Sequence, residues 1–383
     1  MGKIKDYFEL NPPKNTNNYT DYINYIDTSS VTKGILYDIT YLDGNFPSRA
    51  NRCVKYDDIL YSSVRPNLRH YYHYKSNYEN VVASTGYVLL RNKNKELYSS
   101  EFLYYFLGTD SVVKYLSNIA ELSQSTFPSF SAKDLGKIEL PAFDFIDQEK
   151  IADILTTYDN LIENNNKRIK LLEQMVENLY KEWFVRFRFP EYENVEFVGT
   201  LPIGWQYQPI SESMDFFDSQ RVPLSSMQRD EMEKIYPYYG AAKLMDYVDD
   251  YLFDGEYLLL GEDGTVVTAD GFPVLQLVND KFWVNNHAHV IRGKGNISTR
   301  FLYLTFCRFP ITGVVTGSAQ PKISKGRLEK LKILVPDVIT MEHFNNLINP
   351  MFDEIYVLKK QLIRITKQRD MLLPRLMSGK LEV

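Results

Sequence analysis

The sequence has too little of three features to fit several common protein classes. Only two of its 383 residues are cysteines, Cys53 and Cys307, which is too few for a disulfide framework or a cysteine-based zinc site. No run approaches the roughly 18 apolar residues of a membrane span, and the N-terminus has no apolar signal-peptide core, so we expect no membrane partner and a cytoplasmic location. A net charge of −5 excludes a uniformly basic nucleic-acid-binding surface but allows a local basic groove.

Motifs for three kinds of catalysis are also missing. A P-loop requires Ser or Thr after Gly-Lys, but every Gly-Lys pair in the chain is followed by Ile, Gly or Leu. No lysine has an acidic residue two positions before it, as the metal-binding strand of many restriction nucleases does. No Gly-rich loop that could bind S-adenosylmethionine follows a predicted strand. We therefore expect a binding protein without catalytic residues, cofactor or metal.

One tripeptide resembles a catalytic motif. Amino-methyltransferases carry Asn-Pro-Pro followed by an aromatic residue that stacks on a flipped base, and Asn11–Pro13 supplies the first three residues. Lys14 stands where the aromatic residue would be. A turn made by the two prolines is therefore the favoured interpretation.

Two histidine pairs have a spacing that could place both imidazoles on one metal ion. They are His70 with His73 and His287 with His289. Neither pair has a cysteine or an acidic residue nearby at ligand spacing, so structural histidines are the favoured interpretation.

The strongest positive signal is an apolar heptad pattern that occurs twice, 193 residues apart. We call its positions the seam; they are Ile151, Leu155, Tyr158, Ile162, Asn165, Ile169, Leu172, Val176, Leu179 and Trp183, then Phe344, Ile348, Met351, Ile355, Leu358, Leu362, Ile365, Arg369, Leu372 and Leu376. A period of about 3.5 residues favours two helices paired as a coiled coil, with Leu172 and Ile365 nearly buried. Two amphipathic helices on separate domains are the alternative. Pro350 interrupts the second copy, where it could begin a new helix or kink a continuous one.

The repeat extends beyond the helices. Similar segments are Phe127–Ile138 and Gln320–Leu331, Ser100–Tyr104 and Thr299–Tyr303, and Val88–Arg91 and His289–Arg292. The divergent parts are Met1–Val81 and Pro202–Val284. We predict an α+β protein with an internal pseudo-two-fold repeat, in which two mixed α/β domains are joined by two long helices. The predicted parts are a first domain at 1–146, a central helix at 147–186, a second domain at 187–338, and a C-terminal helix and tail at 339–383.

The order of several motifs resembles the specificity subunit of type I restriction–modification systems, and the resemblance covers nearly the whole chain. These motifs are Asp58–Pro66, Leu140–Ala152 with its Gln148-Glu-Lys-Ile-Ala entry into the first helix, Leu201–Trp205, Tyr236–Ala241, Phe253–Gly264 and Leu372–Gly379. The duplication fits the same family.

The resemblance implies a non-catalytic subunit that binds double-stranded DNA. Each domain would be a target-recognition domain that reads one half of a short, asymmetric, split sequence. The antiparallel helices would set the spacing and dock two S-adenosylmethionine-dependent adenine methyltransferase subunits, and two ATP-dependent restriction subunits would complete the complex. The residues assigned to helix pairing and partner docking are Ile151, Leu155, Ile162, Ile169, Leu172, Phe344, Ile355, Leu362, Ile365 and Leu372. A coiled-coil adapter without a DNA role, or a degenerate adenine methyltransferase built around Asn11–Pro13, are the alternatives.

Candidate base-reading residues follow from side-chain chemistry, because Arg pairs with guanine and Gln or Asn with adenine in the major groove. In the first domain they are Arg65, Asn67, Gln124, Ser125 and Thr126. In the second domain they are Tyr238, Tyr239, Gln320 and Lys322. An ordinary surface or turn role is the alternative for each.

Overall fold

The computed structural model describes residues 2–13, 21–123, 127–317 and 320–383. They form two compact units, which we call unit 1 (Met1–Asn164 with Leu362–Val383) and unit 2 (Asn165–Gln361). The division passes through the two long helices rather than between a helix and a domain, so each unit contains part of both. No described helix is both long enough and apolar enough to span a membrane.

The helices of the described residues are α1 (Ile4–Tyr7), α2 (Ser100–Leu107), α3 (Asp110–Glu121), α4 (Ala132–Gly136), α5 (Phe145–Tyr180), α6 (Ile210–Ser213), α7 (Ser226–Asp230), α8 (Thr299–Phe306), α9 (Lys325–Leu328) and α10 (Val338–Met377). A π-helical turn, Lys181–Val185, continues α5. The ends of α5 and α10 lie close to the limits expected from the heptads.

The strands of unit 1 are β1 (Phe8–Leu10), β2 (Tyr22–Ile26), β3 (Val31–Thr32), β4 (Ile35–Leu36), β5 (Thr40–Asp43), β6 (Ala50–Cys53), β7 (Ile59–Ser62), β8 (Tyr71–His73), β9 (Val81–Ser84) and β10 (Tyr87–Asn92). One sheet has the order β1-β10-β7-β8 and another the order β5-β2-β9-β6. All residues of β7 and β9 are buried, as expected of strands covered on both faces. The core against the first sheet includes residues of α2, of the start of α5 and of the end of α10.

The strands of unit 2 are β11 (Phe197–Val198), β12 (Leu201–Pro202), β13 (Gln206–Pro209), β14 (Met214–Phe216), β15 (Tyr236–Tyr239), β16 (Leu244–Val248), β17 (Phe253–Gly261), β18 (Leu275–Val284), β19 (Ala288–Gly293), β20 (Val315–Thr316), β21 (Lys322–Ile323) and β22 (Lys332–Val335). A six-stranded sheet of this unit has the order β14-β19-β17-β18-β15-β16. Within it β15 and β18 are parallel, as are β2 and β9 in unit 1.

The internal repeat is present in the hydrogen bonding. The α2 and α8 helices have the same length, and each is capped by a serine whose hydroxyl accepts from a backbone N–H three residues later, Ser99 from Phe102 and Ser298 from Phe301. The β1–β10 and β7–β10 pairs of unit 1 correspond to the β14–β19 and β17–β19 pairs of unit 2. The predicted duplication is therefore confirmed.

The helices α5 and α10 are antiparallel within each unit. In unit 1 Lys150 reaches Val383 and Asp159 reaches Arg369; in unit 2 Asn165 reaches Gln361 and the Trp183 ring lies 5.4 Å from that of Phe344. No seam position is exposed. The two polar positions also have partners. The Asn165 amide donates to Gln361 Oε1 at 3.4 Å, and the Arg369 guanidinium bonds to Asp159 and Asp370.

One expectation for the helices needs correction, and one open alternative is decided. Leu172 and Ile365 are half-buried rather than nearly buried, because a pair of helices covers a seam side chain from one direction only. Of the two alternatives for Pro350, the start of a new helix is excluded, since α10 runs without interruption from Val338 to Met377. Its exposed position tolerates the loss of one backbone N–H donor.

Candidate nucleic-acid interface

Two backbone hydrogen bonds hold a pair of loops together in unit 1. The Arg65 N–H donates to the Pro128 carbonyl at 2.9 Å, and the Phe130 N–H donates to the Ser63 carbonyl at 3.1 Å. We call this pair of segments, 63–65 and 128–130, the unit 1 clasp. Arg65 and Asn67, two of the predicted base readers, lie in or directly after it.

Unit 2 contains the same arrangement. The Gly264 N–H donates to the Pro321 carbonyl at 3.0 Å, and the Ile323 N–H donates to the Glu262 carbonyl at 2.8 Å. We call segments 262–264 and 321–323 the unit 2 clasp. Equivalent backbone positions also share an unusual conformation, because φ is +48° at Arg65 and +83° at Gly264. The two clasps are thus related by the internal repeat, and they carry different side chains.

Arg65 is an exposed cation on a constrained backbone. A positive φ is uncommon for a residue other than glycine, and such conformations persist where surrounding structure holds them. The Arg65 guanidinium lies 5.6 Å from the ring centroid of Phe127, and Asn67 is exposed in the 3₁₀ turn Pro66–Leu68. The remaining predicted readers of this domain, Gln124, Ser125 and Thr126, lie outside the described residues.

In the second domain the structure brings two of the four predicted readers to the unit 2 clasp. Gln320 is exposed just before the clasp, and Lys322 is an exposed member of it whose ammonium lies 3.4 Å from Glu262 Oε1. Tyr238 and Tyr239 lie on β15, which the clasp does not include.

Tyr238 has a packing role. Its side chain is 1% exposed, its hydroxyl accepts from the Leu224 N–H at 3.1 Å, and the Arg229 guanidinium lies 4.9 Å from its ring centroid. Tyr239 is half-buried against Phe282, and burial raises the pKa of Tyr239 to about 12. Neither tyrosine belongs to the unit 2 clasp, so we assign neither of them to base reading.

A network of charged side chains supports the unit 2 clasp. The His289 ring places Nδ1 2.6 Å from Asp218 Oδ2 and Nε2 2.8 Å from the carbonyl of Ile323, a clasp residue. Arg221 Nη1 donates to Glu262 Oε2 at 2.7 Å. His289 and Lys322 stand out in the sequence, but the acidic residues that join them do not, because Asp218 lies 71 positions away from His289 along the chain.

The same side chains could be mistaken for a metal centre. Ligand atoms of Asp218, Glu262 and His289 lie within 4.8 Å of one another. However, the carboxylates already face the cations Arg221 and Lys322, which would repel a metal ion. We therefore interpret the group as an ion-pair network.

The network also sets the ionisation of Asp218. Burial acts to raise the pKa of Asp218, but the hydrogen bond and charge of His289, the Val290 N–H and Arg221 outweigh it and lower the pKa below its ordinary value. The charged form of Asp218 is therefore favoured in the folded protein.

Replacing Asp218 by alanine is expected to lower the free energy of unfolding at pH 7 by about 1.5–3 kcal/mol, the range for hydrogen bonds to charged groups. Because the pKa of Asp218 is lower in the folded state, its contribution is complete above the unfolded value of about 3.9 and is lost as the pH falls through the folded value. The difference from wild type should therefore shrink below about pH 4. Urea unfolding from pH 7 to pH 2.5 measures it, with the exposed Asp215→Ala as control; a difference independent of pH would contradict the assignment.

The other sequence candidates have structural partners. His70 Nδ1 contacts the Val31 carbonyl, His73 Nε2 lies 2.9 Å from Asp57 Oδ1, and His287 pairs with Asp263. The Asn11 side-chain oxygen accepts from the Leu89 N–H at 3.0 Å. The Asn11 N–H also donates to the Leu89 carbonyl at 2.8 Å, so Asn11 has a structural role beside β10.

The chain is similar to known proteins in both sequence and fold. Residues 1–174 and 202–348 match the family described as the type I restriction modification DNA specificity domain. The type I restriction enzyme MjaIX specificity subunit of Methanocaldococcus jannaschii is 29% identical over 306 residues, which cover 74% of this chain and 69% of that protein. The putative MjaX specificity subunit of the same organism is 25% identical over 321 residues, which cover 81% of this chain and 74% of that protein.

Among solved structures, the S subunit of a type I restriction-modification system from M. genitalium has a similar fold. The two chains superpose with a TM-score of 0.66 at 15% identity, over 98% of this chain and 94% of that one. At this identity the likeness concerns the fold alone. The two separate family matches agree with the two halves of the internal repeat.

Proposed function

Because the chain belongs to the type I restriction modification DNA specificity domain family, we propose that it is a non-catalytic specificity subunit that reads a bipartite, asymmetric DNA site. Unit 1 reads one half-site and unit 2 the other. The α5 and α10 helices set the spacing and bind two methyltransferase subunits, to which two ATP-dependent restriction subunits are added.

The observation that carries this proposal is the clasp that occurs in both units with different side chains. The repeated backbone arrangement presents a loop in the same way in each unit. The exposed side chains differ: unit 1 presents Arg65 and Asn67, and unit 2 presents Gln320 and Lys322. Such a pair of readers suits a site with two unlike halves, in contrast to the palindromes bound by homodimers.

The charge of the second domain indicates which subunits bind phosphate and which one reads bases. Residues 190–338 contain 20 acidic and 14 basic residues, which is unfavourable for a protein whose affinity comes from phosphate contacts. We assign most phosphate binding to the methyltransferase partners, and base reading to this chain.

The long helices suit a spacer. At about 1.5 Å per residue, the 36 residues of α5 and the 40 residues of α10 exceed the roughly 34–36 Å of one DNA turn. None of the seam residues that were expected to pair or dock is exposed, so we assign docking to exposed apolar side chains of the two helices such as Leu171, Met175 and Val357, which are 49–58% exposed.

Substituting Arg65 by glutamine tests the proposal directly. We expect the preference at one base pair of one half-site to fall by about 1–3 kcal/mol, because a bidentate Arg–guanine contact is lost, while the other half-site is unchanged. The readout is methylome sequencing of cells that carry the variant with its methyltransferase subunit, with the exposed Arg49→Gln as control.

Two results would contradict the proposal. Absence of sequence-specific methylation with the wild-type chain, or failure of the methyltransferase subunit to co-purify, would favour an adapter with another role. A change in both half-sites on substitution of Arg65 would contradict the assignment of one half-site to each unit.

A further inference from the structure

The loop that presents Arg65 in unit 1 has a longer counterpart in unit 2. In unit 1 the loop between β7 and β8 is closed by a hydrogen bond from the Ser62 N–H to the His70 carbonyl, at 2.8 Å. The equivalent bond in unit 2, between β17 and β18, joins the Gly261 N–H to the Val274 carbonyl at 3.0 Å. The first bond encloses seven residues, 63–69, and the second encloses twelve, 262–273. Unit 2 therefore adds five residues to the loop.

The extra residues follow the position at which unit 2 has a glycine where unit 1 has an arginine. Gly264 occupies the place of Arg65, so this position supplies no reading side chain in unit 2. The chain then continues into the extension, whose base is anchored by Val266, 1% exposed, and by the hydrogen bond from the Val274 N–H to the Val266 carbonyl at 2.9 Å.

The tip of the extension is held in a defined turn. The Thr268 N–H donates to the Phe272 carbonyl at 2.8 Å, and the Phe272 N–H donates back to Thr268 Oγ1 at 3.2 Å. Gly271, with φ of +85°, donates to the Thr268 carbonyl at 3.0 Å and accepts from the Ile311 N–H at 3.1 Å. A turn fixed by four hydrogen bonds loses little conformational freedom when it binds a partner.

The tip presents a hydrogen-bond acceptor instead of a donor. Thr268, Ala269 and Asp270 are exposed, and Asp270 carries the only charge between Gly264 and Val274. Among the described residues, the Asp270 carboxylate has neither a hydrogen-bond partner nor an ion-pair partner. An ionised carboxylate accepts hydrogen bonds and donates none, whereas the Arg65 guanidinium only donates.

We propose that Asp270 is a specificity-determining residue that reads an exocyclic amino group in the major groove, the N4 amino group of cytosine or the N6 amino group of adenine. The assignment rests on the proposed function of the chain. The charged side chains of the two corresponding loops thus have opposite polarity: the loop of unit 1 offers donors to guanine through Arg65, and the loop of unit 2 offers an acceptor to an amino-bearing base through Asp270.

Chemistry supports a base rather than a phosphate as the target of this side chain. A carboxylate is repelled by phosphate oxygens, but it pairs well with the amino group of cytosine. Facing guanine or thymine, the same carboxylate would meet the acceptor oxygens O6 or O4 and lose its bond to water without replacement. Asp270 therefore rejects keto bases as well as accepting amino bases.

The experiment compares wild type with Asp270→Ala, Asp270→Glu and a matched control, Asp249→Ala, in the assembled methyltransferase complex. Asp249 is also an exposed acidic residue of unit 2, in the turn after β16. Motifs are read by methylome sequencing, and the base preference at each position is measured by competition with duplexes that differ at one base pair. Co-purification of the methyltransferase subunit and thermal unfolding verify assembly and folding.

We expect wild type to prefer cytosine or adenine at one position of the unit 2 half-site. The Asp270→Ala variant, which removes the acceptor, should reduce that preference about tenfold or more, Asp270→Glu should retain the amino-base preference, and Asp249→Ala should leave the motif unchanged. The half-site read through Arg65 should be the same in all four proteins.

Other outcomes overturn the inference and are distinguishable from failure of the proposed function. If wild type methylates a bipartite site but Asp270→Ala keeps the same base preferences, Asp270 does not read a base. If Asp270→Ala reduces co-purification of the methyltransferase subunit while the motif is kept, the side chain contacts protein. If wild type shows no sequence-specific methylation, the proposed function itself fails.

Discussion

Truncation of Phe344 to alanine is expected to lower the free energy of unfolding of unit 2 by about 3–5 kcal/mol. Phe344 is fully buried, and its ring centroid lies 4.6 Å from that of Phe184, 5.4 Å from that of Trp183 and 6.3 Å from that of Phe301. These rings come from α10, from the π-helical turn after α5 and from α8. The cavity would therefore remove contacts between three elements at once, and a packed core relaxes little to fill it.

Tryptophan fluorescence measures this effect selectively. The three tryptophans of the chain, Trp183, Trp205 and Trp283, all lie in unit 2, so a denaturant titration followed by fluorescence reports that unit even if the two units unfold separately. The control is Leu347→Ala on the same helix, where the side chain is 45% exposed and the expected change is within about 0.5 kcal/mol. Equal midpoints for the two variants would contradict a shared aromatic core.

Insertion of one heptad into both α5 and α10 is expected to change the DNA site without changing either half of it. The boundary between the units, after Asn164 and after Gln361, is the place for duplications of residues 158–164 and 355–361, because these keep the seam on the same helix face. Seven helical residues add about 10.5 Å, and a base pair occupies about 3.4 Å. The spacer should therefore lengthen by about three base pairs, and methylation of the original site should disappear.

Methylome sequencing of cells carrying the variant and its methyltransferase subunit reads the new spacer directly. A seven-residue Gly-Ser insertion after the exposed Glu231 is the control, since a surface loop accepts added length at small cost and the spacer should stay as in wild type. An unchanged spacer in the double-helix insertion would show that the helices do not set the spacing.

Local patterns predicted the repeated scaffold well, because the interactions that form it are periodic or close in sequence. The 3.5-residue period of the seam predicted α5 and α10 near their observed ends, and the similar segments Ser100–Tyr104 and Thr299–Tyr303 became the equivalent helices α2 and α8. Burial of Leu172 and Ile365 was overestimated, because the pattern of a helix shows which face is apolar but not how completely other elements cover it.

The candidate interface was less predictable, because its residues meet through strand pairing. Arg65, Gln320 and Lys322 were selected by side-chain type, and the tertiary structure placed each at or beside a clasp. Tyr238 was selected by the same reasoning, but its strand and its neighbours bury it. Residue type does not indicate exposure when a tyrosine suits both a core and a surface.

By itself, then, the sequence determined a duplicated chain with two long paired helices and no recognisable catalytic motif, since heptad spacing, repeated segments and missing motifs are all local properties. Only the tertiary structure decided which loops correspond in the two halves and what supports them. The equivalence of Arg65 with Gly264, the five added residues that lead to Asp270, and the contact of His289 with Asp218 depend on the register of strands far apart in the chain. Such register is set by packing of the whole sheet, and the divergent segments that carry these loops have no sequence similarity from which it could be inferred.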